Sequence, residues 1–206
     1  MSKGDRTRQA MLEATLDLLD ESGTGGVSLQ VLGERLGMHP TSIYRYFSSV
    51  DDLLAASLEF LLSKFDTTSL APEDPRDRLV SMCTAIRELF HGRPGAAALL
   101  AITSGDRVTV TSLAGPIFQA LREIGVPESR FAVSYQSLES FVLGSTLFDF
   151  SGSPQHLESR RRRHAAVGDP TMNAATVSAA RVDAVNEESF RFGLEALLDR
   201  IESQAP

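Results

Sequence analysis

Apolar residues in this 206-residue chain recur at α-helical spacing in almost every segment, and that recurrence leaves few folds open. Leu12, Leu16 and Leu19 stand at i, i+4 and i+7. Leu29, Leu32 and Leu36 line a second stripe, and Leu54, Leu58, Leu61 and Phe65 a third. The alternation of strands is nearly absent. VTVTSL, residues 108–113, suits a short strand, but it stands alone, and an isolated strand has no partner for its backbone groups. The reading is an all-α protein of about nine helices.

Stop and start residues divide the pattern. The first helix runs from about Thr7 to Glu21, where Ser22-Gly23 and Gly25-Gly26 end it. Ser28 is a natural N-cap for the second, which closes at Gly37. His39 caps the third, with Pro40 at the first helical position, where its missing N–H costs nothing, and Ser48 closes it. Ser49, Asp51 and Asp52 open a fourth helix that continues to about Lys64. Turn-rich DTTSLAPEDP, 66–75, marks a change of domain, and further helices are expected near 75–91, 94–103, 106–124, 127–150 and 181–203. Ser151 to Ala180 breaks the pattern with Gly, Pro, Ser and four consecutive arginines. It reads as a mobile surface loop in which Arg160 to Arg163 are solvated charge.

Composition removes several function classes. No stretch approaches the roughly 18 to 20 apolar residues of a membrane span, and the first residues mix charge into their apolar positions as no signal peptide does, so a cytoplasmic protein is expected. Cys83 is the sole cysteine and reads as a small buried thiol. The histidines at 39, 91, 156 and 164 have no partner at metal-ligand spacing, and no phosphate-cradling glycine motif or nucleophile elbow occurs. Neither a metal, a cofactor nor an enzyme is expected. Net charge is −7, and residues 1–50 carry five cations against six carboxylates, so DNA binding has to depend on where the charges sit.

The short third helix holds the informative surface. HPTSIYRYFSS, 39–49, offers only Ile43 and Phe47 to a core, while Pro40, Thr41, Tyr44 and Arg45 project from the other side. Gly-Met-His before it has the length and glycine of the turn in a helix-turn-helix. Gly33, in the middle of the second helix, is explained if the third crosses closely there. Arg45 suits a guanine edge or a phosphate, Thr41 and Ser42 can donate to either, and the Tyr44 ring can meet a thymine methyl. Ser28 sets a helix N-terminus where a phosphate can sit, and Gln30 lies one turn in. Ser28, Gln30, His39, Pro40, Thr41, Ser42, Tyr44, Arg45 and Tyr46 are the candidate DNA-facing set.

The span from Thr7 to about Leu58 resembles the N-terminal domain of the TetR family of bacterial transcriptional regulators, through Leu36-Gly37, Ile43-Tyr44, Tyr46-Phe47 and Leu53-Leu54. The resemblance implies a homodimer on a palindromic double-stranded operator, with a helix-turn-helix domain at 1–50, a connecting helix and linker at 51–75, and a helical bundle at 76–206 that dimerises and senses a small molecule. Two positions depart from the family's pattern. His39 stands where a capping serine is common, and Val50 where a phosphate-clamping lysine is common, beside Asp51 and Asp52. That leaves open an alternative, a small-molecule- or protein-binding dimer with a weakened DNA head.

In the second part, Phe131, Tyr135, Leu138, Phe141, Val142 and Leu147 are spread over more than one face, with Gly144 and Ser145 small enough to let a helix approach. Phe190, Leu194, Leu197 and Ile201 have spacing that suits a four-helix interface with a second subunit. Met82, Ile86, Phe90, Phe118, Leu121, Phe141 and Phe148 are the candidates to line a cavity for a mostly hydrophobic effector, the helix after Ser49 acting as the lever between domains.

Overall fold

The computed structural model describes residues 2–65, 73–103, 108–148 and 154–205. Among them it is helical, with eleven α-helices, one 3-10 turn at Thr24–Gly26 and no strand. In order they are α1 Lys3–Ser22, α2 Leu29–Leu36, α3 Pro40–Ile43, α4 Val50–Leu62, α5 Pro75–Phe90, α6 Pro94–Ile102, α7 Val108–Ile124, α8 Glu128–Phe148, α9 Pro154–Val167, α10 Pro170–Ala174 and α11 Ala179–Glu202. The run at 108–113 is helical, as the start of α7.

Two elements differ from expectation. The stretch expected as a loop holds α9 and α10. Its order comes from contacts within the stretch, local caps and bonds between its two ends. Arg161 donates from Nε to the Thr176 carbonyl at 2.8 Å and from Nη2 to the Val177 carbonyl at 2.6 Å, and Asp169 caps α10 through the Thr171 and Met172 amides. The four arginines are therefore on a helix, and Arg160 also reaches Asn186 Oδ1 at 2.7 Å. The expected change of domain at 66–75 falls partly outside the described residues, at 66–72, as do 151–153 of the expected loop.

Two compact units emerge, neither a single stretch of chain. The first comprises 1–69 with 93–113, the second 70–92 with 114–206. In the first, α1 is the central element, packed by α2, α4 and α6. Met11, Leu12, Leu16 and Leu19 of α1 bury with Leu32, Ile43, Phe47, Leu53 and Leu58. The segment at 93–102 reaches this unit through the last turn of α1. Arg93 Nη1 lies 2.6 Å from Asp17 Oδ1 and 3.1 Å from Asp20 Oδ2, and the Gly95 amide donates to Asp20 Oδ1 at 2.9 Å. A Cβ at Gly95 would stand 2.2 Å from the Leu19 carbonyl oxygen, so this approach admits glycine alone.

In the second unit α8 packs against α5 and α11. Leu79, Met82, Cys83, Ile86 and Phe90 of α5 bury with Leu138 and Val142 of α8 and Val182, Phe190, Leu194, Leu198 and Ile201 of α11. Arg76 ties the ends of α5 and α11 through Asp199 at 2.6 Å and Glu202 at 2.5 Å, and Arg78 pairs with Glu123 of α7. The stripe expected at an interface between subunits is largely buried within the single chain. Phe190, Leu194 and Ile201 belong to the subunit's own core, with Leu197 half-buried. Periodicity shows that a face is covered, not by what. The large apolar residues exposed on α8 and α11 are Val133, Leu147 and Phe192.

Candidate nucleic-acid interface

The caps place the reading helix. Ser28 Oγ accepts from the Val31 amide at 3.1 Å, and α2 ends at Gly37 in the left-handed region, φ 63°. The chain then turns so tightly that Met38 N–H donates to the Gly33 carbonyl at 2.8 Å. A Cβ at Gly33 would meet the Met38 carbonyl oxygen at 2.7 Å and Ile43 Cδ1 at 3.4 Å. The close approach expected at Gly33 is present, made chiefly by the turn backbone.

α3 is one turn long rather than reaching Ser48. Beyond Ile43 the chain continues as a turn, in which the Tyr46 and Phe47 amides both donate to the Ile43 carbonyl. Ile43 and Phe47 are buried at 0% and 1% exposure, as their spacing required. Leu36, expected beside them, is half-buried. With one side fixed, Thr41, Tyr44 and Arg45 face outward, and Tyr44 is 60% exposed. Pro40, Ser42 and Tyr46 are half-buried, as is Ser28, while Gln30 is exposed and donates to Glu34 Oε1 at 3.2 Å.

His39 replaces a serine cap with imidazole. Its Nδ1 accepts from the Thr41 amide at 3.4 Å and lies 2.8 Å from Thr41 Oγ1. An Nδ1 that accepts leaves the ring proton on Nε2, which presents a donor outward. The Thr41 hydroxyl is held in place by the same ring.

The charges around this surface sort into paired and available. Arg35 is neutralised by Glu21, with Nη2 at 2.6 and 2.8 Å from the two carboxylate oxygens. The Arg8 guanidinium lies 5.1 Å from the Phe47 ring centroid, which brings an exposed cation from α1 to the recognition turn. Nothing local in the sequence marks that contact, because it joins positions 39 residues apart. At the start of α4, Ser49 caps the Asp52 amide, and Asp52 Oδ2 accepts from the Ser48 amide at 2.9 Å and its hydroxyl at 3.1 Å. Asp52 thus serves the helix end, where Val50 occupies the first position.

Met82, Ile86, Phe90 and Leu121 are buried core, and Phe118 packs edge-on against Phe131 and Tyr135. The Phe148 side chain lies outside the described residues. Phe141, of the same set expected to line a cavity, lines one of about 360 Å³ in the second unit, with Arg87, Ser140, Gly144, Ser145, Arg160, Asn186, Ser189 and Phe190. Arg87 was legible as an oddity, a charge four residues after Cys83 and three before Phe90 on an otherwise apolar stripe. The Cys83 thiol is buried and pushed up to about 12 by that burial, the state of an inert core group. Among the described residues no set of His, Cys, Asp or Glu side chains could hold a metal, and no helix is long and apolar enough to cross a membrane.

Comparison with known proteins agrees with this geometry. Residues 11–57 match the family model of bacterial regulatory proteins of the tetR family. The HTH-type transcriptional repressor Rv1353c of Mycobacterium tuberculosis is 28% identical over 96% of this chain and 80% of its own length. A possible TetR family transcriptional regulator from Streptomyces coelicolor superposes with a TM-score of 0.72 at 24% identity, covering 95% of this chain and 98% of that one. ActR of the same species, solved with actinorhodin, gives 0.67 at 17% identity over 96% and 97% of the two chains. Residues 11–57 thus carry the helix-turn-helix of the TetR family of bacterial transcriptional regulators, and the chain shares its fold with solved structures of that family.

Proposed function

We propose that two copies of this chain bind a palindromic operator in the cytoplasm as a repressor, and that a small molecule held by the second unit releases it. The observation that carries the reading is the division of the recognition segment. Ile43 and Phe47 are buried, while Thr41, Tyr44 and Arg45 are exposed side by side, with Arg8 beside them. Arg45 and Tyr44 serve base edges, and His39, Thr41, Ser42, Tyr46 and the Ser28 helix end serve phosphates, with Pro40 shaping the surface and Gln30 at its border. The exposed α8 and α11 residues Val133 and Phe192 support a dimer across those helices, which spaces the two segments by a turn of DNA or a multiple. ActR holding actinorhodin on the same fold supports an effector site in this chain. Effector and operator then oppose each other through linkage, each weakening the other equally.

Selection of bound fragments from random DNA tests the reading. An inverted repeat should be enriched, its halves about one helical turn apart. An absence of enrichment would favour the second reading, a ligand-binding dimer with a weakened head, which Val50 and the acidic start of α4 support.

A further inference from the structure

The DNA-binding head is poor in cations, and its own fold engages several of them. Arg35 is held by Glu21, and Lys64, just past α4, lies 4.4 Å from the Phe60 ring centroid. The start of α4 offers Val50, Asp51 and Asp52, which bring no positive charge to a phosphate. Lys3 and Arg6 are exposed on the first turns of α1, and no ion pair, hydrogen bond or ring contact among the described residues holds either side chain. Arg45 is exposed on the recognition segment, where it suits a base edge. The backbone, which supplies much of the affinity of any protein for DNA, needs a cation of its own.

Arg8 meets that need by position. It stands three and four residues before the buried Met11 and Leu12, so it continues the core stripe of α1 to the rim of the unit. There its guanidinium lies 5.1 Å from the centroid of Phe47, a ring 1% exposed, while Arg8 itself is exposed. Phe47 follows Tyr44 and Arg45 by three and two positions, so the contact fixes a cation from α1 beside the recognition segment. Asp5, three residues earlier on the same face, is the carboxylate best placed in α1 to neutralise it. It is engaged elsewhere. Asp5 closes a capping box with Ser2, its Oδ2 accepting from the Ser2 amide at 2.8 Å. Glu13 accepts from Gln9 at 2.9 Å. The ring contact leaves the N–H donors of the guanidinium unbonded, and the Arg8 side chain makes no hydrogen bond or ion pair among the described residues.

We propose that Arg8 is a phosphate clamp, positioned on Phe47 to hold the DNA backbone beside the base edges reached by Tyr44 and Arg45. The inference rests on the DNA-binding reading above and adds to it a residue outside the 11–57 span of the family match. Phosphate is the partner because Arg8 comes from α1 rather than from the segment that enters the groove, and backbone oxygens recur at every step whatever the sequence. Resting on a buried ring, the side chain loses less freedom on binding than an unsupported surface arginine.

Fluorescence anisotropy of the full chain tests it, on the duplex enriched by selection and on one of arbitrary sequence, between about 50 and about 200 mM salt. Arg8→Met keeps an unbranched cover over Phe47 and removes the charge, whereas Arg8→Lys keeps the charge. Arg8→Met should weaken binding to both duplexes by the same factor, at least about fivefold near 100 mM salt, and reduce the slope of log affinity against log salt by about 1 for each copy bound. Arg8→Gln, a second uncharged variant, should repeat that result, and Arg8→Lys should keep most of the parent's slope, all three with thermal midpoints close to the parent's. Weaker binding at an unchanged slope would reduce Arg8 to a lid on Phe47, and a loss confined to the selected duplex would make it a reader of bases. Either overturns the proposal. A parent that binds neither duplex overturns the DNA-binding reading and this inference with it, whereas binding that Arg8→Met leaves untouched overturns this inference alone.

Discussion

The Arg45 and Tyr44 side chains are exposed and make no ion pair or hydrogen bond among the described residues, so replacing them tests recognition with little effect on folding. Arg45→Ala is expected to weaken binding of the selected operator by about 1–3 kcal/mol and to relax preference at one base position. Fluorescence anisotropy on matched and substituted duplexes reads both, and unchanged affinity would remove Arg45 from the interface. Asp20 makes a different kind of test. Burial raises its carboxyl above the ordinary 3.8, against the opposing pull of the Gly95 amide and the Arg93 charge. The folded chain therefore holds this proton more tightly than the unfolded one. Its stabilising share is complete below about 3.8 and is lost as pH rises through the raised value. Asp20→Asn, which has no such proton, should gain on the parent as pH climbs through that window, in urea midpoints compared from about pH 3.5 to 7. A difference that stayed flat, or ran the other way, would mean that burial does not govern this carboxyl.

At the scale of elements, Gly33 in α2 sets local propensity against tertiary contact. An alanine usually stabilises a helix interior by about 1 kcal/mol over glycine. Here its Cβ would press on the Met38 carbonyl at 2.7 Å, and backbone in a tight turn has little room to yield. Gly33→Ala should therefore destabilise by about 1–3 kcal/mol, seen as a thermal midpoint several degrees lower. A raised midpoint would show the turn to be soft. This same turn shows why much of the architecture was readable in advance. Ser28, Gly37, His39 and Ser49 state their roles locally, each capping or ending a helix, and Pro40 opens one at its first position. What depended on distant partners was not readable. The arginine run of α9 looks like solvated charge until Arg161 is seen holding the carbonyls of Thr176 and Val177. Phe190, Leu194 and Ile201 have the spacing of an interface and the burial of a core, and a pattern with period 3.6 cannot distinguish them. The guanidiniums of the cavity come from α5 and α9, so no window of sequence contains them together.

For the molecule as a whole, the decisive quantity is the number of copies that bind DNA. Phe192 on α11 is 75% exposed in the single chain, unusual for a phenylalanine on a regular helix. Phe192→Asp should raise the dimer dissociation constant by at least about tenfold in sedimentation, and weaken operator binding with it, while circular dichroism stays the same. A dimer that persisted unchanged would move the interface elsewhere on the second unit. Another consequence follows from Gly95 resting against the last turn of α1, with Asp17 and Asp20 gripping Arg93. A DNA-reading head transplanted from this chain as residues 2–65 alone would arrive with the flank of α1 stripped bare and two carboxylates missing their cation. Chimeric regulators built from it should carry residues 93–102 along, restoring by design a neighbour that the chain supplies from thirty positions downstream.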